Sequence, residues 1–304
     1  MTDLPATLTY FGSLKGISQV LTKSALPLIE ANQLSDPFLP DKNTPIPFSV
    51  EELFESSVKY ITHAVFGRTP PRGQPNHPLQ KAIMRWRMEN RFSDEAEIRE
   101  ALLGLLPAMV EKAFNQAREN HQQWIEFVRA RRIVPLFEKF LDLPLWEKQG
   151  FAHKGAAVKF KVSNTSIFSY CSAVRYQKKP AITVNRQQYV EHMVGAIPTL
   201  EFEPRNILLT QNYALRQLKE WRMVLDHNEH EAQWMDFSTN QIQSVYIGAL
   251  VSPTNAEQLK NHIARLNPLI NVYQLSCKQS EYALDLQKIS EEVEESGTDE
   301  DSEG

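Results

Sequence analysis

A chain of 304 residues with 42% hydrophobic and 23% charged side chains has ordinary globular composition, and it is long enough to bury a large core without covalent staples. Its two cysteines, Cys171 and Cys277, exclude a disulfide framework and point to a reducing compartment, where each thiol is expected to act as a small buried hydrophobe. The first residues lack the basic-then-apolar pattern of a signal peptide, and no apolar run reaches the length of a membrane span. The expected address is cytoplasmic, with no membrane partner.

The net charge of -4 is unevenly placed, because residues 290–304 hold eight of the 37 acids and no Lys or Arg. Residues 1–289 therefore carry 29 acids against 33 bases, about +4. With Val293 as its one apolar side chain, the 290–304 tail has too little to bury and is expected to be disordered. It reads as a solubilising tail, or as a nucleic-acid mimic that folds back on a basic groove.

Thr7 to Phe11 predicts a strand, and Ser13 an N-cap for a helix carrying Ile17, Val20, Leu21 and Leu28 and ending near Glu30 to Asn32. A loop rich in turn formers follows, Ser35-Asp36-Pro37-Phe38-Leu39-Pro40. Ser49 and Glu52 have capping-box spacing for a helix to about Phe66. A Pro-rich loop to Pro78 and a short helix to Asn90 come next. Ser93 or Asp94 caps a long helical region reaching Arg132, with Ile98, Leu102, Leu105 and Met109 on one face and Pro107 dividing it.

After Arg132 the period changes to that of strands. Strands are predicted at Ile133 to Phe137, at Ala156 to Lys161, through Ser172, Val174 and Tyr176, through Trp221, Met223 and Leu225, through Val245, Ile247 and Ala249, at Ile270 to Leu275, and through Tyr282, Leu284 and Leu286. Helices are predicted at Asn185 to Val194 and at Ala256 to Leu266. The expectation is an α/β protein of the α+β type, a mixed β-sheet with packed helices. It forms a single domain over residues 1–289, with a largely helical insert at about 41–131 covering the sheet.

No dinucleotide-binding glycine pattern, phosphate-binding loop, nucleophile elbow or zinc-protease motif occurs. His227 and His230 are three apart, as metal ligands on a helix can be, but they fall between two predicted strands and read as a polar hairpin loop; no metal is expected. His121, beside Glu119 and Gln122, reads as a solvated helix face. Arg85, Arg87, Arg91, Arg129, Arg131 and Arg132, with Trp86 and Trp124 nearby, combine guanidinium and aromatic groups as single-strand nucleic-acid binders do. Exposed bases on amphipathic helices explain them more simply.

The remaining constellation is distributed. Tyr10-Phe11-Gly12-Ser13 ends the first strand, Trp146 to Gly155 leads into another, and Glu220-Trp221-Arg222 opens a later one. A Glu at the start of a strand can project into a cleft at the sheet edge, or pair with a neighbouring base. In this order the pieces resemble an uncharacterised bacterial family, domain of unknown function 2971. The matching positions are the aromatic first strand, Asp36-Pro37-Phe38, Trp146 with His153-Lys154-Gly155, Val174-Arg175-Tyr176, Glu220-Trp221-Arg222 and Val245-Tyr246-Ile247-Gly248. Gln149 stands where the family usually has Tyr, Ser35 where it has Asn, and Leu39 where an acid often follows.

The family's layout is similar to that of ADP-ribosyltransferases acting on nucleic acids. That resemblance implies an ADP-ribosyltransferase-like fold and an enzyme using NAD as substrate, acting as a toxin or phage-defence effector. It implies Glu220 as the catalytic carboxylate, Tyr10 and Ser13 as contacts to the NAD ribose and amide, Trp146 or Tyr176 as a stacking face, and Arg222 as a diphosphate contact or the partner of an acid. The other expectation is a non-enzymatic module that binds nucleic acid or protein, motivated by the basic body and the Arg–Trp clusters.

Overall fold

The structure is a computed structural model that describes residues 4–34, 36–68, 73–201, 203–225 and 233–290. The acidic tail beyond Ser290, His227, His230 and Ser35 lie outside the described residues. The chain has a mixed α/β fold and divides into two compact units, one built from the first 34 residues, residues 131–179 and the chain from 209 onward, the other from residues 35–130 and 180–208. The sequence reading expected one domain with an insert. The helical stretch and a later segment share a core of their own.

The first unit begins with β1 (Thr7–Gly12) and α1 (Leu14–Lys23). The helix stops earlier than its apolar spacing suggests. Ser24 takes a left-handed conformation (φ 50°) and its N–H bonds back to Val20 and Leu21, after which Ala25–Pro27 (β2) and Ile29–Glu30 (β3) are extended. Leu28 is buried from this extended segment, so a side chain that mimics the helical period belongs to the next element.

The second unit then supplies α2 (Val50–Phe66), α3 (Pro78–Met88), α4 (Glu95–Leu105) and α5 (Pro107–Arg129). Ser49 and Glu52 form the expected capping box, Asp94 caps α4, and Pro107 separates α4 from α5. Leu53, Ile61, Ile83, Ile98, Leu102, Val110, Ala117 and Trp124 share one core with Tyr189, Val190 and Val194.

The first unit resumes with β4 (Arg132–Phe137), α6 (Leu143–Lys148), β5 (Ala156–Lys161), β6 (Cys171–Ala173) and β7 (Arg175–Gln177). The second gains α7 (Arg186–Met193) and α8 (Pro204–Leu208). Then β8 (Thr210–Asn212), β9 (Glu220–Leu225), β10 (Trp234–Asp236), β11 (Ile242–Ile247), α9 (Pro253–Leu266), β12 (Asn271–Cys277) and β13 (Leu284–Lys288) complete the first. The strand expected through Ser172, Val174 and Tyr176 is in fact two: β6 pairs antiparallel with β9, and β7 pairs parallel with β8. Cys171 is buried but Cys277, at the end of β12, is exposed, so only the first behaves as a core hydrophobe.

The main sheet runs in the order β13-β12-β11-β5-β1-β4-β9-β6, with β3 on the far part of β4. All its pairs are antiparallel except β11 with β12, which α9 connects. Side chains opposite each other in a ladder share a face, and successive residues alternate. One face therefore carries Leu8, Val134, Leu136, Val158, Trp221, Met223 and Val245, which pack with Ile17, Val20, Leu21, Leu259 and Ile263 of α1 and α9. The other carries Phe11, Phe137, Ala157 and Tyr246, which pack with Leu145 and Trp146 of α6.

Candidate active site

Alternation along β9 explains its Glu-Trp-Arg motif. Trp221 enters the core shared with α1 and α9, while Glu220 and Arg222 turn to the opposite face. There Arg222 Nε donates to Glu220 Oε1 at 2.6 Å, with the two side chains 1% and 8% exposed. Glu220 is the residue where β9 starts, directly opposite Phe137, the last residue of β4. Its main-chain N–H donates to the hydroxyl of Tyr176 at 2.7 Å, and its carbonyl accepts from Val174 N–H at 3.0 Å. Burial pushes the Tyr176 hydroxyl up to about 12, the bond from Glu220 N–H opposing that rise. A buried ion pair is weak evidence for stability, because desolvating both charges costs much of what their attraction returns. A carboxylate fixed in one orientation is suited to holding the hydroxyls of a ligand.

Three of the six residues that the sequence resemblance singles out thus meet: Glu220, Arg222 and Tyr176. Arg222 is the partner of an acid, and at 1% exposure it offers no surface to a diphosphate. The other three are placed elsewhere in the same unit. Tyr10 lies opposite Val158 and packs with the core under α1 and α9, on the face away from Glu220; burial lifts its hydroxyl to about 12. Ser13 caps α1, its hydroxyl accepting from Gly16 N–H at 3.1 Å. Trp146 is fully buried, its indole N–H donating to Phe140 O at 2.6 Å and its ring meeting Phe11 edge-on at 5.1 Å. It therefore shows no face on which a ligand could stack.

The His-Lys-Gly stretch has a backbone reason. Phe151, Ala152 and His153 take consecutive left-handed conformations, with φ of 53°, 51° and 62°. Such conformations cost about 1–2 kcal/mol per non-glycine residue. The turn is held by Ala152 N–H to Glu147 O at 3.2 Å, His153 N–H to Trp146 O at 3.3 Å and Leu250 N–H to His153 O at 2.9 Å. At Gly155 a β-carbon would overlap the Gly12 carbonyl oxygen, and at Gly248 it would overlap that of His153, so both positions require glycine for close backbone approach. Gln149 is a half-buried residue at the C-terminal cap of α6.

The basic clusters of the sequence are largely committed to the framework. Arg87 donates to the carbonyls of Ala64, Val65 and Arg68 at the end of α2, Arg85 pairs with Glu89, and Arg132 pairs with Glu30. His121, expected on a solvated face, is buried at 5% exposure; its Nε2 meets Thr44 O at 2.8 Å and its Nδ1 meets the Thr183 hydroxyl. The signal was present in the spacing, since Val110, Ala113, Ala117, His121, Trp124 and Val128 form one buried stripe of α5. Among the described residues no group of three or more His, Cys, Asp or Glu side chains comes together as metal ligands, and no helix is long and apolar enough to cross a membrane.

No protein-family model matches the chain, and no curated protein or solved structure was found that does.

Proposed function

We propose that the protein is an ADP-ribosyltransferase-like enzyme that uses NAD as substrate and Glu220 as its catalytic carboxylate. The reading is supported by the ordered motifs that resemble domain of unknown function 2971, and it is carried by one observation. Glu220 is a buried carboxylate at the start of a central strand, oriented by Arg222 at 2.6 Å and placed beside the Tyr176 hydroxyl. The reading takes Glu220, Arg222 and Tyr176 as the site and leaves Ser13, Trp146 and Tyr10 to the framework.

In the proposed reaction the bond between ribose C1′ and the nicotinamide nitrogen breaks, and its electron pair leaves with nicotinamide. Positive charge develops at C1′ and the ring oxygen, and a nucleophile of the acceptor closes on C1′ as its proton is released. Glu220 Oε2 accepts from a ribose hydroxyl, so a fixed negative charge lies beside the developing positive one. Arg222 acts through Glu220 as a positioning residue, and Tyr176 fixes the main chain at the same point.

The test is release of nicotinamide from NAD by the purified full chain. Glu220→Gln should reduce release at least a hundredfold while circular dichroism stays near that of the wild type, because the amide preserves shape and an acceptor for Arg222; Tm falls with the lost charge but the chain stays folded at the assay temperature. A folded Glu220→Gln protein with unchanged release would refute the assignment.

A further inference from the structure

The face of the sheet that carries Glu220 holds a second polar group three strands away in the ladder. Thr9 lies opposite Phe137 on one side and Lys159 on the other, and Lys159 lies opposite Ser244. Lys159 is half-buried on a central strand, and no ion pair to it exists among the described residues. Its Nζ instead lies 4.3 Å from the centroid of the Phe140 ring. Phe140 stacks on Tyr246 (centroids 4.5 Å apart, planes at 29°), and Tyr246 stacks on Tyr273 (5.4 Å, 17°). Ser244 Oγ donates to Tyr246 Oη at 2.9 Å, which leaves the phenolic proton of Tyr246 free to be given away. The Thr9 hydroxyl is fully buried and has no hydrogen-bond partner among the described residues.

For packing alone this arrangement is costly. A cation drawn partly out of water with no counter-charge is unfavourable, as is a buried hydroxyl that makes no bond. Burial lowers the Lys159 ammonium below the ordinary lysine range, and no carboxylate acts to raise it. A ligand bearing an anionic oxygen group would supply the missing counter-charge. Its oxygens would accept from Lys159 Nζ and from Tyr246, and the stacked rings would exclude water from one side. A charge-assisted bond in such surroundings is stronger than one in water.

We propose that Lys159, with Tyr246 oriented by Ser244, forms an oxyanion-binding site at the Phe140–Tyr246–Tyr273 stack, taking the phosphate or the carboxylate of a small ligand. The site does not use Glu220, and its existence does not depend on NAD chemistry.

Calorimetric titration of the full chain with inorganic phosphate, and separately with acetate, tests it. Saturable one-to-one binding is expected with one of them, and the probe that binds names the source of the oxyanion. Lys159→Met should weaken that binding at least tenfold, Lys159→Arg should retain most of it, and Lys161→Met, which removes the next, exposed lysine of the strand, should leave it unchanged. Tyr246→Phe removes the second donor and should weaken binding severalfold, and it serves as the deciding variant if Lys159→Met fails to fold. No saturable binding of either probe would overturn the proposal, as would wild-type binding by folded Lys159→Met or, where that variant does not fold, by folded Tyr246→Phe.

Discussion

Glu220 and Arg222, two residues apart on one strand, point to the same face of the sheet and hold each other at 2.6 Å with almost no exposure to solvent. Because the strand alternates, Trp221 between them is committed to the opposite core. One tripeptide thus serves the hydrophobic core and a buried charge pair at once.

Breaking that pair from one side should be expensive. Glu220→Leu leaves a buried guanidinium without its carboxylate, and removing one partner of a buried pair costs about 3–5 kcal/mol. Replacing both, Glu220→Leu with Arg222→Met, should recover a large part of the loss, because neither charge is then desolvated. Urea unfolding of the two single variants and the double variant measures the coupling. Strict additivity would mean that the two charges do not depend on each other.

The buried tyrosines give a pH signature. Tyr10 and Tyr176 are each held near about 12 by burial, against an ordinary value of 10.0. A hydroxyl whose folded value is raised adds stability that is fully present below the unfolded value and is lost as pH climbs through the folded one. Stability should therefore hold to about pH 10 and fall between about 10 and 12. Tyr176→Phe and Tyr10→Phe should each flatten that fall. Ultraviolet titration of tyrosinate should show late-ionising groups that disappear in Tyr10→Phe and Tyr176→Phe, and ionisation of these two near 10 in the folded protein would contradict the burial described.

His121 offers a test in the helical unit. His121→Ala removes a buried ring and strands the Thr183 hydroxyl and the Thr44 carbonyl. The lost packing and the unmet hydrogen bonds together should cost about 2–4 kcal/mol. A loss below about 0.5 kcal/mol would fit the exposed position that the neighbouring Glu119 and Gln122 suggest.

Local chemistry made much of the fold legible in the sequence. Ser13, Ser49 and Asp94 announce three helices through caps that all form, and Ala156 to Lys161 announces a strand through strict alternation. Elements set by distant partners were not legible. Leu28 looks helical by spacing, but Ser24 ends the helix and β2 pairs with Trp234–Asp236, more than two hundred residues later. The candidate site divides in the same way. Glu220 and Arg222 are close in sequence and their pairing is readable, and Tyr176 reaches them only through β6 and β7. Tyr10 and Glu220 both lie on strands of the main sheet, yet they face opposite sides of it, which depends on ladder register that no single strand encodes. Lys159 was visible as one more polar residue of an alternating strand. That no ion pair to it forms among the described residues, and that an aromatic stack lies beside it, are facts of assembly.

Ser13 illustrates how a cap and a ligand contact are told apart. Ser13→Ala should cost about 1 kcal/mol of stability, and Ser13→Asp should restore it, since either oxygen can accept from Gly16 N–H. Thermal unfolding of both variants decides it. Equal Tm values for wild type and Ser13→Ala would mean that the hydroxyl serves something other than the helix.

The central claim is that Glu220 is the carboxylate of an ADP-ribose transfer. Its most direct test is incorporation of NAD labelled in the adenosine moiety, using the purified full chain and its Glu220→Gln variant with bacterial lysate, followed by separate nuclease and protease digestion. The account predicts that label becomes macromolecular with the wild type alone, and that one of the two digestions removes it and so names the acceptor. Equal incorporation by folded Glu220→Gln, or none by either folded protein, would contradict it.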